Sequence, residues 1–85
     1  MKGTIYLEAF INRGNNRKQI LKALLKGRKT QAELHKTTGM YRTHVRRTLL
    51  ELMEKRVVKC QNPKDRTNKW YEITELGKEV LGKLE

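Results

Sequence analysis

The stretch TQAELHKTTGMYRTHVRRTLLELM, residues 30–53, decides the fold because it contains the signals for two short helices and the turn between them. Thr30 and Glu33 have the spacing of a capping box, in which each side chain accepts a hydrogen bond from the other residue's backbone N–H. This pair predicts a helix over about 31–37. Gly39 then supplies the residue that ends such a helix.

Apolar spacing in the same stretch predicts which sides of the two helices are buried. We expect Ala32 and Leu34 of the first helix to face the core. A second helix is predicted over about 41–55, since apolar residues recur there on one face: Val45, Leu49, Leu52 and Met53. Two short helices joined by a tight turn that contains glycine are typical of a helix-turn-helix.

The sequence before this stretch predicts one secure helix and leaves one segment undecided. A helix is expected over about 16–26, closed by Gly27, because basic residues flank an apolar stripe of Ile20, Leu21, Leu24 and Leu25. Residues 1–14 alternate like a strand and also carry apolar residues at helical spacing, so both structures stay open there.

After the helix-turn-helix the apolar period changes to two, which indicates strands. We predict strands at 57–61 and 69–73, joined by the polar turn 62–68 into a β-hairpin. Thr74 can then cap a last helix over about 75–84. The expected fold class is α+β and mostly helical: one winged helix-turn-helix domain over the whole chain, with a two-stranded β-hairpin wing and a C-terminal helix.

The distribution of charge indicates the kind of partner. The chain has 20 lysine and arginine residues against nine acidic residues, a net charge of +11. Residues 13–47 alone carry eleven basic residues and one acidic residue, Glu33, which is a net +10. A basic excess concentrated in this way is typical of a surface that binds a polyanion. A solvated basic face with no ligand is the plainer alternative.

Composition excludes several classes of function. The sequence has no serine, a single cysteine (Cys60) and two histidines (His35 and His44), so neither a serine-based triad nor a zinc site is expected. Paired carboxylates and an activated nucleophile are also missing from the sequence pattern. We therefore expect no enzyme activity, no metal and no cofactor.

The same composition bears on location. One cysteine cannot form an internal disulfide, which favours a reducing compartment. The apolar runs are far shorter than a membrane span, and the N-terminus has no signal-peptide pattern. The expectation is a cytoplasmic, nucleoid-associated protein with no membrane partner.

Two segments resemble known regulators. GMYRTHVRRTLLELMEKRVV, residues 39–58, resembles the recognition-helix segment of winged-helix transcriptional regulators, and NPKDRTNKWYEITELGKEVL, residues 62–81, is similar to the wing of the MarR family. The shared features of the wing are the Asp65-Arg66 pair at its tip and the Ile73-Thr74-x-x-Gly77 entry into a helix. The chain departs from the family at Arg56, where glycine is usual, and at Tyr41, where a serine or threonine cap is usual.

The second helix of the motif carries the candidate base-reading residues. Taken at about 100° per residue from Val45, Thr43 and Arg47 lie nearly opposite the core face. The N-terminal part of such a helix enters the major groove, where arginine can donate to guanine O6 and N7. The DNA-binding candidates on this helix are Arg42, Thr43, His44, Arg46 and Arg47.

The wing and the preceding helices supply further basic candidates. The wing residues Lys64, Arg66 and Lys69 are expected to bind DNA, with Arg66 in the minor groove. Asp65 is expected to orient a neighbouring arginine. Phosphate contacts that set register without reading sequence are expected from Arg17, Lys18, Arg28, Lys29 and Lys36, for which solubility alone is the alternative.

Apolar residues near both ends of the chain are candidates for a dimer interface. They are Ile5, Leu7, Phe10, Ile11, Val80 and Leu84. The alternative is that residues 4–11 complete the core of one chain. Leu50 also lies off the core stripe of its helix, so it can cover a neighbour or a partner subunit.

These observations predict a sequence-specific regulator that binds double-stranded DNA. We expect a homodimeric repressor with its recognition helix in the major groove and its wing in the minor groove, and no small-molecule effector can be identified. An architectural DNA-binding protein with little sequence preference is the alternative, and a winged-helix module for protein or RNA is a weaker one.

Overall fold

The computed structural model describes residues 3–84, which form five helices and one small antiparallel sheet. Residues 1–2 of the undecided N-terminal segment lie outside the described residues, as does residue 85. The helices and strands are α1 (Gly3–Arg13), α2 (Asn15–Leu25), α3 (Gln31–Thr38), α4 (Arg42–Glu54), β1 (Val58–Cys60), β2 (Tyr71–Ile73) and α5 (Glu75–Leu84). The predicted order of helix-turn-helix, hairpin and last helix is confirmed.

Helix α3 begins and ends as its sequence predicts. The Thr30 hydroxyl accepts a hydrogen bond from the Glu33 N–H at 3.2 Å, and the Glu33 carboxylate accepts from the Thr30 N–H at 3.0 Å. Gly39 ends the helix in the left-handed region at φ 75°. Leu34 is buried, but Ala32 is exposed, so the expectation for Ala32 is wrong. Ala32 and Leu34 are two positions apart, so their side chains point about 200° apart around the helix axis. A single narrow core face cannot cover both of them.

The core lies where α4 crosses α2. Val45, Leu49 and Leu52 of α4 are wholly or almost wholly buried. They belong to one apolar cluster with α2, whose buried side chains are Ile20, Leu21, Ala23 and Leu24. Thr48 of α4 is buried as well, and Met53 packs at the edge of the core. The side of α4 opposite Val45 is left exposed to solvent.

The hairpin is shorter than predicted and gains a neighbour from a distant segment. Strand β1 pairs with β2 in register, with Val58 opposite Ile73 and Cys60 opposite Tyr71. On the other edge of β2, Tyr71 exchanges both backbone hydrogen bonds with Lys29, at 2.9 and 3.0 Å. The loop after α2 is thereby fastened to the wing.

A tight corner joins the wing to α5. The Thr74 hydroxyl donates to the Arg56 carbonyl at 2.8 Å and accepts from the Gly77 N–H at 3.0 Å, which confirms Thr74 as a cap. The Thr74 N–H also donates to the Val57 carbonyl at 3.0 Å. A Cβ on Gly77 would lie 2.3 Å from that same carbonyl oxygen. We call these four residues, with Thr74 and Gly77 on one side and Arg56 and Val57 on the other, the α5 corner.

Arg56 has an unusual backbone in this corner. Its φ is 63°, in the left-handed region that costs a residue with a Cβ about 1–2 kcal/mol. That conformation turns the chain from α4 into β1, and it explains in physical terms why glycine suits this position.

The N-terminal segment is a helix that packs on α5. Ile11 is fully buried, and the Lys83 ammonium donates to the Thr4 hydroxyl at 3.0 Å. Val80 of α5 is fully buried as well. Ile11 and Val80 therefore lie inside the core of one chain, where a second copy cannot reach them. No helix within residues 3–84 has the length and apolarity that a bilayer crossing requires.

We expect Gly77→Ala to lower the free energy of unfolding by about 2–3 kcal/mol, because the new methyl group would overlap a backbone carbonyl that cannot move alone. Gly82→Ala is the matched control on the same helix, since nothing lies within 4 Å of the position of its Cβ. There the change should stabilise by about 0.5–1 kcal/mol through helix propensity. Urea unfolding followed by circular dichroism measures both, and equal effects would contradict the close contact at Gly77.

Candidate nucleic-acid interface

The outward face of α4 is polar, basic and uncovered. All five candidates on this helix, Arg42, Thr43, His44, Arg46 and Arg47, are exposed. Within the described part of the chain, none of the three arginines forms an ion pair, so their guanidinium groups are available to a ligand. The His44 ring packs edge-on against Tyr41, with 5.8 Å between the ring centroids.

The wing is organised around Asn62. Its side-chain oxygen accepts from the Trp70 N–H at 2.8 Å, and its amide donates to the Asn68 carbonyl at 3.0 Å and to the Asp65 carboxylate at 2.7 Å. The Trp70 N–H thus bonds to the side chain of Asn62, while the Trp70 carbonyl accepts from the Gln61 N–H at 2.8 Å. The Asp65 carboxylate therefore stabilises the turn by accepting a hydrogen bond from Asn62. The expectation that Asp65 orients a neighbouring arginine is wrong.

Cations from α4 and from the wing meet at one cleft of about 400 Å³. Arg46 of α4 lines it together with Arg66 and Lys69 of the wing. Apolar side chains, among them Leu49 and Met53, line its interior. Lys64 and Arg66 are exposed, and Lys69 is half-buried. The two elements thus form one continuous basic surface, although Arg46 and Arg66 lie 20 residues apart in sequence.

The five phosphate-contact candidates fall into two groups. Lys36 is exposed on α3, and Lys18 is half-buried on α2. Arg28 contacts the base of the wing through its guanidinium group. This group lies 4.6 Å from the centre of the Trp70 ring and donates a hydrogen bond to the side-chain oxygen of Gln61 at 2.8 Å. Arg17 also has structural partners for its side chain, whereas Lys29, within residues 3–84, pairs with β2 through its backbone alone.

Arg17 joins three helices. Its guanidinium lies 3.8 Å from the centre of the Phe10 ring of α1 and donates to the Phe10 carbonyl at 2.5 Å. The Arg17 Nε donates to the carboxylate of Glu51 on α4 at 3.2 Å. With 21% of its side chain exposed, Arg17 acts as an internal bridge between α1, α2 and α4 rather than as a free cation. Sequence reasoning missed this bridge, because its partners lie 7 and 34 residues away.

The histidines and the cysteine have local partners. His35 Nδ1 lies 2.6 Å from the Met40 carbonyl, so this side chain holds the turn between α3 and α4. The half-buried Cys60 lies beside Asn62, 3.9 Å from its side-chain oxygen. Among residues 3–84, no group of three potential metal ligands comes together.

A second and larger cleft, of about 790 Å³, separates α1 from α4. Tyr6 and Phe10 line it on one side, and His44 and Arg47 on the other. The Arg17 bridge lies in the wall of this cleft, between α1 and α4.

The comparison with protein families decides the family. The family model described as the HVO_A0261 N-terminal domain matches residues 7–85, which is almost the whole chain. The chain belongs to this family. A comparison of the chain with curated proteins found no match.

The chain has the same fold as several solved structures of transcription regulators. It is similar to a MarR family transcription regulator, SP03579, with a TM-score of 0.76 and 23% identity over 95% of this chain and 52% of that one. It is also similar to the adhesin competence repressor AdcR from Streptococcus pyogenes, with a TM-score of 0.72 and 25% identity over 94% and 61%.

A further similar structure is BpsR from Bordetella bronchiseptica, with a TM-score of 0.76 and 19% identity over 82% of this chain and 55% of that one. The DNA binding of BpsR is described as regulated by 6-hydroxynicotinic acid. The chain thus spans a little over half the length of these solved chains. The predicted MarR-like winged helix-turn-helix is confirmed.

We expect Asn62→Ala to open the wing while the rest of the domain stays folded, because three hydrogen bonds of the turn depend on this side chain. Amide hydrogen exchange at Trp70 should accelerate roughly tenfold, the effect of about 1.4 kcal/mol. Thr67→Ala, at an exposed position of the same turn, is the control and should leave that rate unchanged. Equal rates in the two variants would contradict the organising role of Asn62.

Proposed function

We propose that this chain is a sequence-specific regulator of transcription that binds double-stranded DNA as a homodimer and acts as a repressor. The recognition helix α4 occupies the major groove and the wing lies over the adjacent minor groove. The observation that carries this proposal is the shared cleft, where Arg46 of α4 and Arg66 and Lys69 of the wing converge. A duplex offers one strand of phosphates between its two grooves, and a cleft with basic walls on both sides matches that strand.

Charge and geometry divide the contacts between affinity and sequence choice. The basic excess of residues 13–47, apart from Arg17, which is paired with Glu51, supplies phosphate neutralisation that gives strong and salt-dependent binding to any duplex. Thr43 and Arg47 are exposed on the side of α4 opposite the core. Because the other side of α4 is packed in the core, the helix backbone directs these two hydrogen-bond donors toward base edges. Arg66, exposed in the wing, fits the narrow minor groove beside the recognition site.

The similarity to MarR-fold regulators supports the regulatory part of the proposal. BpsR is described as a DNA-binding protein and AdcR as a repressor. Repression follows most simply if a dimer on its site blocks the polymerase.

An exposed apolar surface on α1 supports the homodimer. Ile5 is 65% exposed and Tyr6 is 80% exposed, beside Leu7 and Leu84, which are half-buried against the core. A two-fold pair through this surface would present two recognition helices about one DNA turn, or 34 Å, apart.

We expect Arg47→Ala to reduce discrimination between a preferred duplex and a random one by about 1–3 kcal/mol, because it removes donors to base edges. Lys36→Ala is the matched control on the neighbouring helix. It should weaken binding to both duplexes alike and reduce the slope of log affinity against log salt by about one unit, since it removes one phosphate contact. Fluorescence anisotropy titrations at several salt concentrations measure both.

An equal loss on the two duplexes for Arg47→Ala would remove Arg47 from base reading. If the unchanged protein also binds both duplexes equally, the protein coats DNA as an architectural protein, and the proposed function is wrong.

We expect Ile5→Glu to convert the dimer to a monomer, because it places a charge at the centre of the proposed interface. Leu25→Glu is the control, since Leu25 is 52% exposed at the end of α2 and away from that surface. Sedimentation equilibrium measures the mass of each variant. A monomeric unchanged protein, or a variant that remains dimeric, would contradict the interface at α1.

A further inference from the structure

One large apolar residue of α4 lies outside the core. Leu50 is 54% exposed, whereas Leu49 and Leu52 on either side of it are buried almost completely. The core cluster does not include Leu50. Packing within the described part of one chain therefore does not account for a leucine at this position.

Leu50 lies on the same stripe of α4 as the base-reading candidates. Thr43, Arg47 and Leu50 follow one another at spacings of four and three residues, which places them in a row along one side of a helix. They line one shallow depression of about 460 Å³, together with Arg46, Glu51 and Glu54. The apolar side chain thus continues a row that begins with hydrogen-bonding groups.

We propose that Leu50 is a specificity-determining residue that contacts the C5 methyl group of a thymine in the major groove, an inference that rests on the DNA-binding function proposed above. The thymine methyl is the apolar feature that base pairs present in this groove. The three arginines of α4 lie in the turns before Leu50 and attract the duplex, while Glu54 follows one turn later and repels phosphate. Leu50 therefore lies at the C-terminal limit of the face that we propose reads bases, one turn after Arg46 and Arg47.

The charge around Leu50 argues for a base and against a protein partner. Arg46 and Arg47 flank it, and Glu51 and Glu54 complete the depression. Leu50 also borders the basic cleft, beside Leu49 and Met53, which are themselves buried or half-buried. The exposed side chains around Leu50 are mostly charged, whereas the centre of a protein interface is depleted of charge. A base edge in a groove lined by phosphates suits the same surroundings.

Replacement of thymine by uracil tests the contact, because it removes only the methyl group. The experiment uses a duplex selected by the protein from random sequence, with one thymine at a time changed to uracil in each half-site. For the unchanged protein, one of these positions should weaken binding about fourfold, the effect of one buried methyl group. Leu50→Ala should bind the thymine and uracil duplexes with equal affinity, and about as weakly as the unchanged protein binds the uracil duplex.

Leu25→Ala is the matched control, since it shortens another exposed leucine of a helix, and it should keep the fourfold preference for thymine. Circular dichroism confirms that both variants fold. The proposed contact with thymine is wrong if no uracil substitution weakens binding by the unchanged protein, or if Leu50→Ala still prefers thymine to uracil. The proposed DNA-binding function would stand in either case.

Two further outcomes also count against the inference. A change in sedimentation mass for Leu50→Ala, with unaltered DNA binding, would assign Leu50 to an interface between two copies of the chain. Failure to select any duplex would overturn the proposed DNA-binding function itself.

Discussion

The contact between Gly77 and the Val57 carbonyl is the constraint on which the arrangement of α4 and the wing depends. Val57 follows α4 directly, and Gly77 lies in the first turn of α5, just after β2 has returned from the wing. The oxygen of Val57 lies where a Cβ on Gly77 would be, so the start of α5 presses against the backbone that leaves the recognition helix. Because the hairpin runs between these two points, its base cannot shift relative to α4. This contact places the base of the wing, with Cys60 and Tyr71 of the cleft lining, beside α4.

A second set of contacts determines how the basic residues are used. Arg17 is held between Phe10 and Glu51, and Arg28 covers Trp70, so both contribute to the structure of the domain. Arg46 and Arg47 have no such partners among the described residues and face outward. Arginine suits both tasks, because its planar guanidinium stacks on aromatic rings and also donates in pairs to carboxylates or bases.

Local signals made much of this fold predictable. The capping box of α3, the apolar stripe of α4 and the cap at Thr74 each act within a few residues, and each one is found as predicted. The pairing of Lys29 with Tyr71 and the bridge at Arg17 could not be predicted, since they join distant parts of the chain. Residues 1–14 stayed open between strand and helix for the same reason: only packing on α5 decides that their described part is a helix. The exposed basic residues of the site could be predicted from the sequence. The cleft between α4 and the wing could not, because it depends on how these two elements pack.

Methylation interference on a selected duplex tests the placement of the two elements most directly. Dimethyl sulfate modifies guanine N7 in the major groove and adenine N3 in the minor groove, so one experiment reports on both. We expect guanine modification to block binding in two clusters about one helical turn apart, and adenine modification to block it in the flanks where the wings lie. Interference from adenine N3 alone, or from neither base, would contradict a recognition helix in the major groove.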